Sequence, residues 1–293
     1  MKLKLTLLLG AVLSAVLPSA NAALLFFEDF SGSNFVVGSS VQGVTSNSVG
    51  AVGQNGTWHD RDLTNYSNAI RSETLSYTGG SINMTGSGKV LEITASAAQT
   101  GTFAVGVDLG TAITPVAVGS GNTLYMSTLV RYTGNIANDN NTFGSLTGTI
   151  TGASTTGPKA GFASTNAQFA LAPTNLATNL TASGTNSAAD TTYLYIWGLQ
   201  SDGSNWTNIS SWVNPTTSTP GTPLQSYAIT ATNSSLVSVA FTAATLDGGE
   251  TIRWGDTRIS TSWADVTAVP EPTTWALLAG SLTALMVFRR RRG

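Results

Sequence analysis

Cysteine is absent from all 293 residues, so the chain has no disulfide, no thiol nucleophile and no thiolate metal site. It must be held together by its core alone. Histidine occurs once, at His59, which argues against a triad and rules out a multi-histidine metal centre. Charged residues make up 10% of the chain, against about 25% in ordinary globular domains. Ser, Thr, Asn and Gly take their place, a composition suited to β-proteins working outside the cell. No sustained helical stripe of apolar residues runs through the long middle of the chain, and no repeat of 20 to 50 residues occurs there, which argues against a solenoid or propeller.

What is present is concentrated at the two ends. After Val269 the chain reads Pro270-Glu271-Pro272, then Thr273 to Phe288 with no charge, then Arg289, Arg290, Arg291 and Arg292. The prolines fix two φ angles and remove two donors, so an extended, protease-accessible segment is expected there. As a helix, Thr273 to Phe288 rises about 24 Å, short of a hydrocarbon core of about 30 Å. Snorkelling arginines make up part of the difference, and the positive-inside rule keeps them cytoplasmic. Triad, apolar helix and basic tail in this order resemble the PEP-CTERM sorting signal of Gram-negative bacteria. The resemblance implies recognition of Pro270, Glu271 and Pro272 by an exosortase, a membrane-embedded cysteine protease.

At the other end, Lys2 and Lys4 precede an apolar run from Leu5 to Leu17, followed by Ala20-Asn21-Ala22. This is the pattern of a secretory leader with signal-peptidase cleavage between Ala22 and Ala23. The expected organisation is a signal peptide at 1–22, a β-sandwich at 23–268 and a sorting signal at 269–293. The expected localisation is a precursor anchored in the inner membrane, then the cell surface or extracellular matrix. Two of the 13 basic residues lie in the leader and four in the tail, which leaves seven in the body; only Glu271 of the 15 acidic residues is lost, which leaves fourteen. The body therefore carries about seven net negative charges without clustered Lys or Arg, which excludes a nucleic-acid partner.

Within the body the periodicity is two. Lys89 to Ala95 places Val90, Glu92 and Thr94 on one face and Leu91, Ile93 and Ala95 on the other. Leu124 to Tyr132 alternates in the same way, and Phe103, Val105 and Val107 repeat the pattern. Further strands are expected at 24–30, 161–164, 167–171, 192–200, 206–213, 236–242 and 251–259, with a helical turn near 175–180. The fold class expected is all-β, a single jelly-roll sandwich, with helices only in the leader and the tail. Phe27-Glu28-Asp29-Phe30, Tyr195-Ile196-Trp197, Ser211-Trp212-Val213-Asn214-Pro215 and Asp256 to Val266 resemble laminin-G-like, concanavalin-A-like sandwiches that precede many such signals. That resemblance implies that the last strand, through Trp263 to Val269, runs directly into the signal.

Catalytic chemistry has little to work with. A retaining glycosidase needs two carboxylates about 5 Å apart, but Glu28 and Asp29 point to opposite faces of a strand and Asp60 and Asp62 lie in a polar, loop-like context. The reading is therefore a non-catalytic, exported surface or matrix protein with no required cofactor. A secreted carbohydrate-active enzyme on the same fold is the alternative. Trp58-His59-Asp60-Arg61-Asp62 is either a solvated hairpin or a binding loop in which Asp60 and Asp62 help hold Ca²⁺. Asp202-Gly203 and Asp247-Gly248 are turn formers first and metal ligands second. Trp197, Trp206, Trp212 and Trp254 are sheet core if buried and a stacking platform for sugars if exposed. The partners expected are signal peptidase, an exosortase-type protease, the inner membrane in transit and extracellular polysaccharide.

Overall fold

The computed structural model describes residues 24–267 apart from 49–50, 62–65, 99–101, 136–139, 151–156, 164–166 and 173–179. Two antiparallel sheets face each other. The first contains β1 (Phe26–Glu28), β3 (Tyr66–Ser72), β6 (Lys89–Ala95), β8 (Thr123–Thr133), β13 (Tyr193–Ser201), β14 (Trp206–Val213), β15 (Gln225–Thr232) and β17 (Thr251–Ser260). Its order is β15-β14-β13-β8-β17-β6-β3, with β1 on β17. The second contains β2 (Gln54–Arg61), β7 (Thr102–Ile113), β9 (Asn140–Leu146), β10 (Lys159–Ala163), β11 (Gln168–Leu171), β12 (Thr181–Asn186) and β16 (Leu236–Ala244), in the order β12-β11-β10-β9-β16-β7-β2. A separate hairpin pairs β4 (Ser76–Gly79) with β5 (Ile82–Thr85), and two short helices are α1 (Pro115–Val118) and α2 (Trp263–Thr267).

The alternation read from the sequence decides which side chains meet between the sheets. Trp254 of the first sheet touches Phe241 and Phe143 of the second at ring-centroid distances of 5.4 and 5.8 Å, and Tyr195 meets Phe143 at 5.5 Å. Aromatic pairs of this kind contribute about 0.5–1.5 kcal/mol beyond the area they bury. The outward side of the first sheet carries a second, smaller core. There Leu129, Leu194, Ile196 and Trp212 are covered by Tyr77, Ile82 and Met84 of the hairpin and by Trp263 and Val266 of α2. Strand β13 is consequently buried on both faces for most of its length.

The last strand lies in the middle of the first sheet rather than at its edge. Strand β8 lies along one side of β17; β6 pairs with Thr251–Trp254 and β1 with Thr257–Ile259 on the other. A bulge between Gly255 and Arg258, with Asp256 at φ 43°, bends the strand between these partners.

Beyond Ser260 the expectation of a continuing strand is corrected: Trp263 to Thr267 form α2. Ser262-Trp263-Ala264-Asp265 is a capping pattern, and the Asp265 amide donates to Ser262 Oγ at 3.4 Å. The helix is tied down by Ser127 Oγ donating to the Val266 carbonyl and by Trp263 Nε1 donating to that of Thr217. Among the described residues no helix is long and apolar enough to cross a membrane. The expected leader helix, the apolar tail helix and most of the turn near 175–180 lie outside the described residues.

Candidate functional site

The residues singled out from the sequence separate into three groups. Ala20, Ala22, Ala23, Pro270, Glu271, Pro272 and Arg289 to Arg292 lie outside the described residues, as does Asp62. Trp58 to Arg61 form the end of β2 and not a loop, which corrects the hairpin and binding-loop expectation. Trp58 is fully buried and stacks on Phe241, so the strand is held by its aromatic anchor. Asp60 Oδ2 accepts from Asn68 Nδ2 at 2.6 Å, and the Asp60 amide donates to Gln42 Oε1. Its carboxylate thus joins the rims of the two sheets. Among the described residues no group of three or more His, Asp or Glu side chains could hold a metal ion, and Asp62, the second member of the Ca²⁺ pair, lies outside them.

The tryptophans resolve in favour of the core. Trp197, Trp206 and Trp254 have no exposed surface and Trp212 keeps 8%. The first three point between the sheets, and Trp212 points outward but lies beneath the hairpin and α2. None offers a ring face to a sugar, so the stacking expectation is corrected: both sides of this part of the sheet are covered. Asp202 behaves as a turn former. Its Oδ1 accepts from the Asn205 and Ser204 amides at 2.7 and 2.8 Å, and these two donors hold its pKa below the usual range. Gly203 supplies the positive φ of 93° that this turn requires. Asp247 likewise closes a turn, its carbonyl accepting from the Glu250 amide and its own amide donating to Glu250 Oε2.

A different constellation stands on the outward face of the first sheet, at the end of the strands left clear by the hairpin. Glu92 of β6 is paired in register with Arg253 of β17, and Arg253 with Arg131 of β8. Glu92 Oε1 receives Arg71 Nε at 2.6 Å, and Glu92 Oε2 receives Arg253 Nη2 at 2.7 Å. Glu73 continues the chain, 3.3 Å from Arg253 Nε and 2.5 Å from Arg131 Nη2. Five charged side chains thus form one line: Arg71, Glu92, Arg253, Glu73, Arg131. Both carboxylates are well buried, while Arg71 keeps 46% of its side chain exposed, Arg131 28% and Arg253 21%. The neighbouring row consists of hydroxyls only, with Ser67 opposite Thr94, Thr94 opposite Thr251 and Thr251 opposite Thr133.

Sequence reasoning missed this site because its five members come from four separate segments: the end of β3, β6, β8 and β17. One signal was available: Glu92 and Arg131 both fall on the polar face of a well-alternating strand.

Several other charged side chains among the described residues serve the architecture. Asp256 is buried in a two-toothed pair with Arg258, at 2.7 and 2.9 Å, and burial pushes its pKa up against the pull of that guanidinium. Arg258 also donates to the Asp265 carbonyl, which anchors α2. Glu28 is fully buried and accepts from the Phe30 amide, Ser48 Oγ and Gln54 Nε2. Lys159 is buried in β10, which lowers its pKa to about 8.

No family model matches this chain, and neither does any curated protein. Solved structures do resemble it. The described residues form a mostly β sandwich. Among the similar structures is the globular domain of T. cruzi calreticulin, 12% identical with a TM-score of 0.49 over 92% of this chain and 100% of that one. Another is the endo-β-1,4-glucuronan lyase from the fungus Trichoderma reesei, 12% identical with a TM-score of 0.40 over 71% and 96%. A third is domain 4 of a GH43 extracellular arabinanase from Geobacillus stearothermophilus, solved with arabinotriose, 12% identical with a TM-score of 0.38 over 84% and 99%.

Proposed function

We propose that this chain is an exported, non-catalytic protein of the cell surface or extracellular matrix, whose sandwich is a concanavalin-A-like jelly roll that meets polysaccharide there. In this reading signal peptidase cuts after Ala22, and Pro270, Glu271 and Pro272 present the chain to an exosortase-type protease while Arg289 to Arg292 stay cytoplasmic. The observation that carries it is the position of β17. This last strand is flanked by β8 on one side and by β6 and β1 on the other, so the sheet is incomplete until the chain as far as Ser260 is available. A body whose centre is its own C-terminal strand suits export before folding, with the sorting segment following directly. The non-catalytic reading draws support from the carboxylates Glu28, Glu73, Glu92 and Asp256, each tied into a local pair or hydrogen bond.

Mass spectrometry of the exported protein tests the sorting. The expected form begins at Ala23 and ends near Pro270 to Pro272. A mature extracellular form that still contains Trp275 to Arg292 would leave a plain tail anchor in place of exosortase processing.

A further inference from the structure

We propose that the charged line and the hydroxyl row beside it form a binding surface for a carboxylated glycan, one built of uronic acids. The inference rests on the reading above only in that it supplies a polysaccharide environment; the site itself follows from the geometry. Three of the seven basic side chains of the body, Arg71, Arg131 and Arg253, converge here on one face of an otherwise acidic protein. Both oxygens of Glu92 are taken by guanidinium groups, and both oxygens of Glu73 lie against them. The carboxylates therefore act as fixed counter-groups that hold the forks in place, and the arginines retain donors of their own.

Arg131 Nε, and Thr251 Oγ1 in the adjoining row, are buried atoms without a hydrogen-bond partner, lying just beneath the exposed Nη groups of the line. A planar guanidinium with free N–H groups matches a carboxylate geometrically, and holding it in advance lowers the ordering cost of binding. The hydroxyl row crosses β3, β6, β17 and β8, a span of about 14 Å at the usual strand spacing; Thr94 Oγ1 donates to the Glu250 carbonyl and Thr133 Oγ1 to Asp190, so toward ring hydroxyls the row offers chiefly acceptors. Asp190 marks the rim, where its Oδ1 accepts from Thr133 Oγ1 at 2.9 Å. Negative charge at that edge directs an incoming carboxylate toward Arg131 and Arg253 instead.

The test compares polygalacturonate with its fully methyl-esterified form, titrated into the full chain at low salt. These probes share a backbone and differ in charge. Binding of the acid at least about tenfold tighter than of the ester, weakening as added salt screens the pair, is the expected result. Arg131→Gln is expected to weaken the acid about tenfold through loss of one charge-assisted fork, with a small fall in melting midpoint from the broken pair with Glu73 and far-ultraviolet circular dichroism unchanged. Thr251→Val, which alters no charge, provides a second variant and is expected to weaken both probes alike. Equal affinity for acid and ester overturns the assignment while leaving a neutral-glycan surface. No binding of either probe, or native affinity in both variants, overturns it outright, and neither result bears on how the termini are processed.

Discussion

Arg253 and Glu92 face each other across β17 and β6, with Nη2 and Oε2 2.7 Å apart and the carboxylate side chain only 4% exposed. Such a pair is held on two sides, since Arg71 occupies the other carboxylate oxygen. Charge burial of this kind is stable only when each lone pair has a donor, so the stability of the line is carried by Glu92 more than by any one arginine.

Glu92→Gln is accordingly expected to lower the unfolding free energy by about 3 kcal/mol, because it leaves Arg253 facing an amide in a poorly solvated place. Glu73 is 17% exposed, and Glu73→Gln should cost nearer about 1 kcal/mol. Urea denaturation of both variants checks the order. A larger loss at Glu73 than at Glu92 would show that burial does not set the scale here.

Trp254 lies between Phe241 and Phe143 with no exposed surface, so Trp254→Ala opens a cavity where the two sheets meet. The expected cost is about 3–5 kcal/mol. Calorimetry reads it directly, and a loss under about 1 kcal/mol would be incompatible with the inward position given to this ring.

Much of this arrangement is legible in the sequence. Strands β6 and β14 begin and end where their alternation does, and the two faces of β8 are assigned as found. Strands β2, β3, β12 and β15 escape the pattern because they are the outer strands of their sheets, and polar residues there interrupt the apolar rhythm. Strand β9 escapes it for another reason: in Asn-Asn-Thr-Phe-Gly-Ser-Leu only Phe143 announces a core position, although the strand is central. Period two also cannot tell an inward Trp197 from an outward Trp212 when both faces are covered. The charged line is illegible for a plainer reason, since Arg71 and Arg253 meet only through the fold.

Lys89 Nζ donates to the carbonyls of Phe35, Gly32 and Ser31 at 2.9, 3.0 and 3.5 Å, so one ammonium gathers the loop that follows β1. Lys89→Met removes all three donors together and is expected to cost about 2–3 kcal/mol. Hydrogen exchange should show faster opening at residues 31–35 in the variant, with exchange in β13 unchanged relative to global stability. Uniform loss of protection would mean that the ammonium supports the whole sandwich rather than this loop.

Lys159 gives the protein a signature at alkaline pH. Burial lowers its pKa from 10.5 to about 8, so between those values the unfolded chain binds a proton that the native protein has already released. Stability from this group therefore rises as pH increases from about 8 to 10.5, is complete above that range, and is lost as pH falls through about 8. The whole effect is of the order of 3 kcal/mol, from about 1.4 kcal/mol per unit of pKa difference. Tyrosines titrate in the same range, so the informative quantity is the difference between the native protein and Lys159→Met, followed by urea unfolding at pH 8 and pH 10. The native protein should gain stability relative to the variant as pH rises, and the variant should be the more stable of the two at pH 7, where native folding still buries a charge. A difference independent of pH would place the Lys159 ammonium in water.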